Sequence, residues 1–311
     1  MLVSEFKIKT FEEFLMRMYT LLGGWPSSNA VVFRGQAKDW PLVSSIYRAN
    51  NYELIKKYSH FQCDFDSSLA YRVAEENLIL EFYNMANLSK LKVPKIPRFL
   101  SRNNASFNTL NFVEKLEKWP LDDSIELMAL AQHYGVPTSF IDWTYDFNVA
   151  LYFAVFGAIK EANNNGKYIS DEIVIWTLPL YKLDLINSNS FGNKIPLNFV
   201  TPSYYDNENL GAQKGILAYW EETLCHNEKV NDTPLDKKIE TYIYSNYSDL
   251  DCIIKTANEF MIKFLIPTSE CKKIAKYLYN NNYNAAFLFP GYDGVVKSIE
   301  EQRMLEKFII G

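Results

Sequence analysis

Apolar and polar positions along the chain fall into alternating helical and strand-like periods. Phe11, Phe14, Leu15, Met18, Leu21 and Leu22 recur at helical intervals and predict a helix over residues 6–22, with Thr10 and Glu13 as a capping box and Gly23-Gly24 as its stop. Val31, Val32 and Phe33 predict a short buried strand that runs straight into Arg34, Gly35 and Gln36. A long amphipathic helix is expected over 68–88, its Glu75, Glu76 and Glu81 solvated on the polar face. Another spans 124–134, entered by an Asp-Asp-Ser cap and stopped by Gly135 and Pro137. A strand over 138–144 with polar residues at its end leads into a mostly buried helix over 148–159. Strands follow at 172–178, just after Gln213, at 259–266 and at 285–289, with helices at 269–280 and 295–308. Residues 187–205 and 225–250 read as peripheral insertions. There is no internal repeat, so one α+β domain with a core over about residues 30–300 is the simplest organisation.

Composition narrows the function classes. The 311 residues carry a formal net charge of -5, which supplies no global pull toward nucleic acid or anionic membrane. The stretch 91–111, with Lys92, Lys95, Arg98 and Arg102 around Pro94 and Pro97, is the most basic; it reads as a solvated loop or as a contact for phosphates. The four cysteines and three histidines form no metal-ligand spacing, so no metal is expected, and the thiols are expected to be reduced. No run of apolar residues suits a membrane span and the N-terminus lacks an export pattern, which makes the cytoplasm the expected location.

Candidate chemistry concentrates where the strand over 31–33 delivers Arg34 to its own edge. A guanidinium there needs an internal carboxylate or a ligand with anionic oxygens, and Gly35 admits a ligand or a second backbone. Arg48 is a second cation that could reach the same mouth. Each remaining candidate has a plain structural alternative. Asp142 and Thr144 also suit a helix cap, Tyr152 a core position, and His133 and Gln213 hydrogen-bonded bridges. Asp293, between glycines, suits a turn.

Four stretches resemble the FRG domain, the family that takes its name from a Phe-Arg-Gly motif. They are Phe33-Arg34-Gly35-Gln36; residues 132–138 with Asp142-Trp143-Thr144 and residues 150–154; residues 212–215; and residues 289–294. Their order is similar to that in arginine-type ADP-ribosyltransferases. That resemblance implies a split, mostly antiparallel sheet with flanking helices, NAD as substrate, and a macromolecular acceptor, RNA, DNA or protein. It also implies a bacterial toxin or phage-defence setting with an antitoxin protein as partner. By the same resemblance Arg34 would bind the diphosphate, Thr144 and Asp142 would set the nicotinamide ribose, Tyr152 would pack near the nicotinamide, and a distal acid would complete the site. Phe33, Gly35, Gln36, His133, Thr138, Trp143 and Gln213 would line the NAD site. The Glu-x-Glu pair of that class is absent, leaving Asp293, Glu300, Glu301, Asp142 and Glu76 as candidate acids. An anionic carboxylate near the ribose and a cation on the diphosphate would stabilise two ends of one oxocarbenium-like transition state. A binding module that keeps the NAD pocket without the reaction is the alternative. A nuclease or other hydrolase lacks the clustered carboxylates that metal catalysis needs.

Overall fold

A computed structural model describes residues 2–23, 30–59, 67–94, 119–189, 194–204, 208–222, 229–247 and 259–310. In chain order its strands are β1 (Val3–Lys7), β2 (Val31–Gln36), β3 (Ile141–Thr144), β4 (Glu172–Pro179), β5 (Leu197–Val200), β6 (Gly215–Trp220) and β7 (Met261–Pro267). The helices are α1 (Phe11–Gly23), α2 (Tyr52–Ser59), α3 (Ser68–Leu88), α4 (Ile125–His133), α5 (Phe147–Asn165), α6 (Leu180–Asn189), α7 (Glu208–Ala212), α8 (Leu235–Asn246), α9 (Cys271–Asn280), α10 (Ala285–Leu288) and α11 (Tyr292–Ile310).

The strands form one α+β sheet in the order β1-β7-β4-β2-β3-β6-β5, antiparallel throughout except for β1 beside β7. Both faces are covered, which is why β2 and β4 read as continuous apolar runs. On β2, Val31 and Phe33 enter a core cluster with α1, α5 and α9, while Val32 enters a second cluster with α6 and α8. On β4 the residues alternate in the same way, Ile173 and Ile175 to the first face, Val174 and Trp176 to the second. A third cluster packs Ile79, Leu127 and Met128 against Phe140, Leu217 and Tyr219.

The sheet is continuous and not split into two, although its pairing is thin at one central seam. β2 pairs with β4 from Val31 to Gln36, yet it meets β3 only at Phe33 and Thr144. Beyond that pair the two central strands part. α5 follows β3 after a two-residue link, with Asp146 as N-cap accepting from the Asn148 N–H at 3.0 Å, and lies back against β2. Gly35 makes this possible, because a Cβ there would overlap the Ala150 carbonyl of α5. The glycine of the motif therefore admits a second backbone.

Four expectations are corrected. The N-terminal segment is a strand followed by α1, with the Thr10 hydroxyl accepting from Glu13 N at 3.3 Å as the capping pattern requires. Residues 187–205 contain the edge strand β5. Residues 225–250 contain α8, whose Ile239 and Ile243 are buried against the sheet, so neither stretch is merely peripheral. Where a strand is expected over 285–289, Ala285–Leu288 form the short helix α10, because Asn284 caps them by accepting from Phe287 N at 3.0 Å. Glu75 and Glu76 are buried. Glu75 accepts from Trp119 Nε1 at 2.8 Å and Ser139 N at 2.6 Å, and Glu76 from Arg72 Nε at 2.9 Å. Of the basic stretch 91–111, positions 95–111 lie outside the described residues, and so do Lys95, Arg98 and Arg102.

Candidate functional site

The seam between β2 and β3 opens into a cavity of about 440 Å³. Its walls include Arg34 and Gly35 of β2, Asp142, Trp143 and Thr144 of β3, Gln132 and His133 of α4, and Phe153, Gly157 and Glu161 of α5; Gln213 and Phe289 close it. A second cavity of about 930 Å³ shares Arg34, Gly35 and Trp40 with it and extends past Gln36, Tyr47, Arg48 and Thr233. Arg34 thus stands where two cavities meet.

The side chain of Arg34 is only 15% exposed. Its Nη1 donates to the Asp142 carbonyl at 2.6 Å, bridging the gap where the ladder has parted, and lies 3.9 Å from the Asp142 carboxylate, whose side chain is 66% exposed. Its buried Nε has no hydrogen-bond partner. Burial pulls the Arg34 pKa down, Asp142 opposes that, and Arg48 adds to it. A guanidinium this buried, facing a main-chain oxygen and a distant solvated carboxylate, is under-compensated by protein groups.

Asp142 is held from the other side. Gln132 Nε2 donates to its Oδ1 at 2.5 Å, and Gln132 Oε1 in turn accepts from the Thr138 hydroxyl. Thr138 is fully buried and absent from both cavity walls, so it orients Gln132 and does not meet a ligand. Thr144 is buried as well. Its Oγ1 donates to Gln213 O at 2.7 Å and accepts from Asp146 N at 3.0 Å, locking the β3 end to the loop before β6. Gln213 Nε2 donates to Leu288 O at 3.1 Å, so Gln213 bridges backbone groups while lining the cavity. Asn209 Nδ2 lies 2.8 Å from His133 Nε2, and burial lowers the pKa of this half-buried imidazole, which favours the neutral ring.

Several candidates fall elsewhere. Tyr152 is buried away from the cavity with its hydroxyl on Glu301, and Phe153, the next residue, takes the wall position instead. Gln36 accepts from Trp176 Nε1 at 3.0 Å and borders only the second cavity. Phe33, by contrast, does line the first cavity, its ring packed edge-on against Phe147. Asp293 lies exposed in the first turn of α11, Glu300 is exposed on the same helix, Glu301 is buried on Tyr152 and Ala285 N, and Glu76 is paired with Arg72; none of them lines either cavity. The carboxylates on the first cavity's wall are Asp142 and Glu161. Glu161 was missed. The signal for it is the spacing of Val149, Phe153, Gly157 and Glu161, every fourth residue on one stripe of α5. Asp146 was missed too; beyond capping α5 it binds Lys214 Nζ at 2.8 Å and the Tyr283 hydroxyl at 2.7 Å.

Residues 29–163 match the family model described as FRG domain. This chain carries an FRG domain. The matched segment contains β2, β3, α4 and nearly all of α5, and hence Arg34, Gln132, Asp142 and Glu161. Gln213 and Phe289, which complete the cavity, come from outside it. No curated protein and no solved structure matches the chain. Among the described residues no group of His, Cys, Asp and Glu could hold a metal, and no helix is long and apolar enough to cross a membrane.

Proposed function

We propose that the FRG domain binds NAD across Arg34 and transfers its ADP-ribosyl group to a macromolecular acceptor. The observation that supports this reading is the position of Arg34, a nearly buried guanidinium with an unpartnered Nε, set between two cavities. A dinucleotide has that shape and charge: two bulky ends joined by an anionic diphosphate. Both cavities fall within the roughly 300–1,000 Å³ of small-molecule sites. Arg34 would neutralise the diphosphate by charge-assisted hydrogen bonds. The nicotinamide ribose would lie in the cavity that holds Asp142 and Glu161. There a carboxylate stabilises positive charge at C1′ as the bond to nicotinamide breaks and nicotinamide leaves with the electron pair. The acceptor then forms the new bond to C1′ and gives up its proton.

Incubating the protein with labelled NAD and cell extract, then treating with nuclease or protease, tests both reaction and acceptor. Label is expected on one macromolecule class and is expected to disappear in Arg34→Ala and in either Asp142→Asn or Glu161→Gln. Unlabelled extract throughout would defeat the transferase. The proposal includes a toxin role controlled by an antitoxin protein; it expects growth arrest on expression, relieved by Arg34→Ala. A second reading, an NAD-binding module without turnover, is favoured by the engagement of Asp142 with Gln132 and Arg34. Calorimetric NAD binding without nicotinamide release would select it.

A further inference from the structure

We infer that the cavity beyond Arg34 contains a second phosphate subsite at Arg48, so that the cleft takes a phosphomonoester in addition to the dinucleotide's diphosphate. This rests on the reading of Arg34 as a diphosphate site and assigns a ligand class to the other half of the cleft.

Arg48 lines the 930 Å³ cavity together with Arg34, Trp40, Asn50 and Thr233. Its side chain is exposed. Its Nε reaches Val43 O at 3.4 Å, a long hydrogen bond, and no carboxylate lies within ion-pair distance of it among the described residues. Arg48 also sits close enough to Arg34 to lower that residue's pKa, so two like charges share one cavity. Asp232 is the single carboxylate on the wall, and it is exposed. A diphosphate placed at Arg34 would leave the Arg48 cation unmatched. Trp40 belongs to both cavities and is 40% exposed, with Lys38 Nζ 5.0 Å from its ring centroid, so it offers an indole wall to a base in a basic setting. The cavity is also larger than its neighbour, which holds the catalytic candidates, and it has room for more than an unmodified adenosine half. A guanidinium with free donors in one cavity with an aromatic side chain suits a nucleotide phosphate.

The phosphomonoester could sit on the dinucleotide itself, as in NADP, or on a second nucleotide. Titration calorimetry of wild type and Arg48→Ala with NAD, with NADP, and with AMP added to NAD-saturated protein separates these sources. If the group is on the dinucleotide, NADP is expected to bind about 10-fold or more tighter than NAD. That preference should collapse in Arg48→Ala, with NAD affinity held within about threefold of wild type, since Arg48 is then outside the NAD contacts. If it is on a separate molecule, NADP shows no advantage, AMP binds the NAD-loaded protein, and Arg48→Ala removes AMP binding. Arg48→Lys, which keeps the charge, should restore part of either effect. NAD binding with no NADP preference and no AMP binding overturns the subsite and leaves the Arg34 reading intact. Failure of NAD, NADP and AMP alike to bind overturns both.

Discussion

Replacing Arg34 by methionine separates service to the fold from service to a ligand, since Met keeps the unbranched stem and removes the charge. Within the protein the guanidinium makes one short bond, Nη1 to Asp142 O at 2.6 Å, worth about 1.5–3 kcal/mol for a charged donor. Its 3.9 Å approach to a carboxylate that is 66% exposed adds under about 1 kcal/mol. Against these stands the desolvation of a charge only 15% exposed, which costs several kcal/mol, with Nε left unbonded. The sum is near zero. Arg34→Met is therefore expected to change folding stability by less than about 1 kcal/mol, roughly 2–4 °C in Tm. Loss of a charged partner from a buried diphosphate costs about 2–5 kcal/mol of binding, some 30-fold to several-thousand-fold in Kd. Thermal denaturation and calorimetric titration with NAD, run on the same preparations, read the two quantities. A variant that melts about 3–5 kcal/mol less stable while binding NAD as tightly as wild type would refute the argument, because that is the behaviour of a structural ion pair.

Three other outcomes follow from the same geometry. Gly35→Ala is expected to cost at least about 1–3 kcal/mol, since the new methyl meets the Ala150 carbonyl and α5 must move off β2; an unchanged Tm in chemical or thermal melts would contradict this packing. Tyr152→Phe removes the hydroxyl on Glu301 and leaves that buried carboxyl with Ala285 N at 3.1 Å, so stability should fall by about 1–3 kcal/mol while NAD affinity stays put; a drop in affinity at wild-type stability would return Tyr152 to the cleft. Burial pushes Glu75 and Glu76 up to about 7, above their usual 4.5. The folded chain then retains protons that the unfolded chain releases, so their stabilising contribution is complete below about pH 4.5 and is lost as pH rises through 7. Tm should be lower at pH 8 than at pH 5.5 and the difference smaller in Glu75→Gln; an identical slope in wild type and variant would remove these groups from the account.

By itself the sequence determined most of the local elements and pointed to the candidate cleft at Arg34. Apolar periodicity located α3 at Ser68–Leu88 and placed the inner residues of β2, β4 and β7, because a sheet covered on both faces demands unbroken apolar runs. It also marked Arg34, since a cation ending a buried strand must answer to something anionic. Tertiary structure alone decided what surrounds that cation. Whether Gly35 admits a ligand or a helix depends on where α5 lies, and whether Tyr152 or Phe153 faces the cleft depends on the rotation of that helix against the sheet. Residues 285–289 are five apolar positions in a row that suit strand or helix equally, and the Asn284 cap resolves the first four as α10, which takes Asp293 out of the site. Glu75 and Glu76 read as solvated because acids on a helix normally are; only the long-range approach of Trp119 and Ser139 supplies the donors that let Glu75 stay buried. Such contacts join positions 44 and 64 residues apart, and no local pattern encodes them.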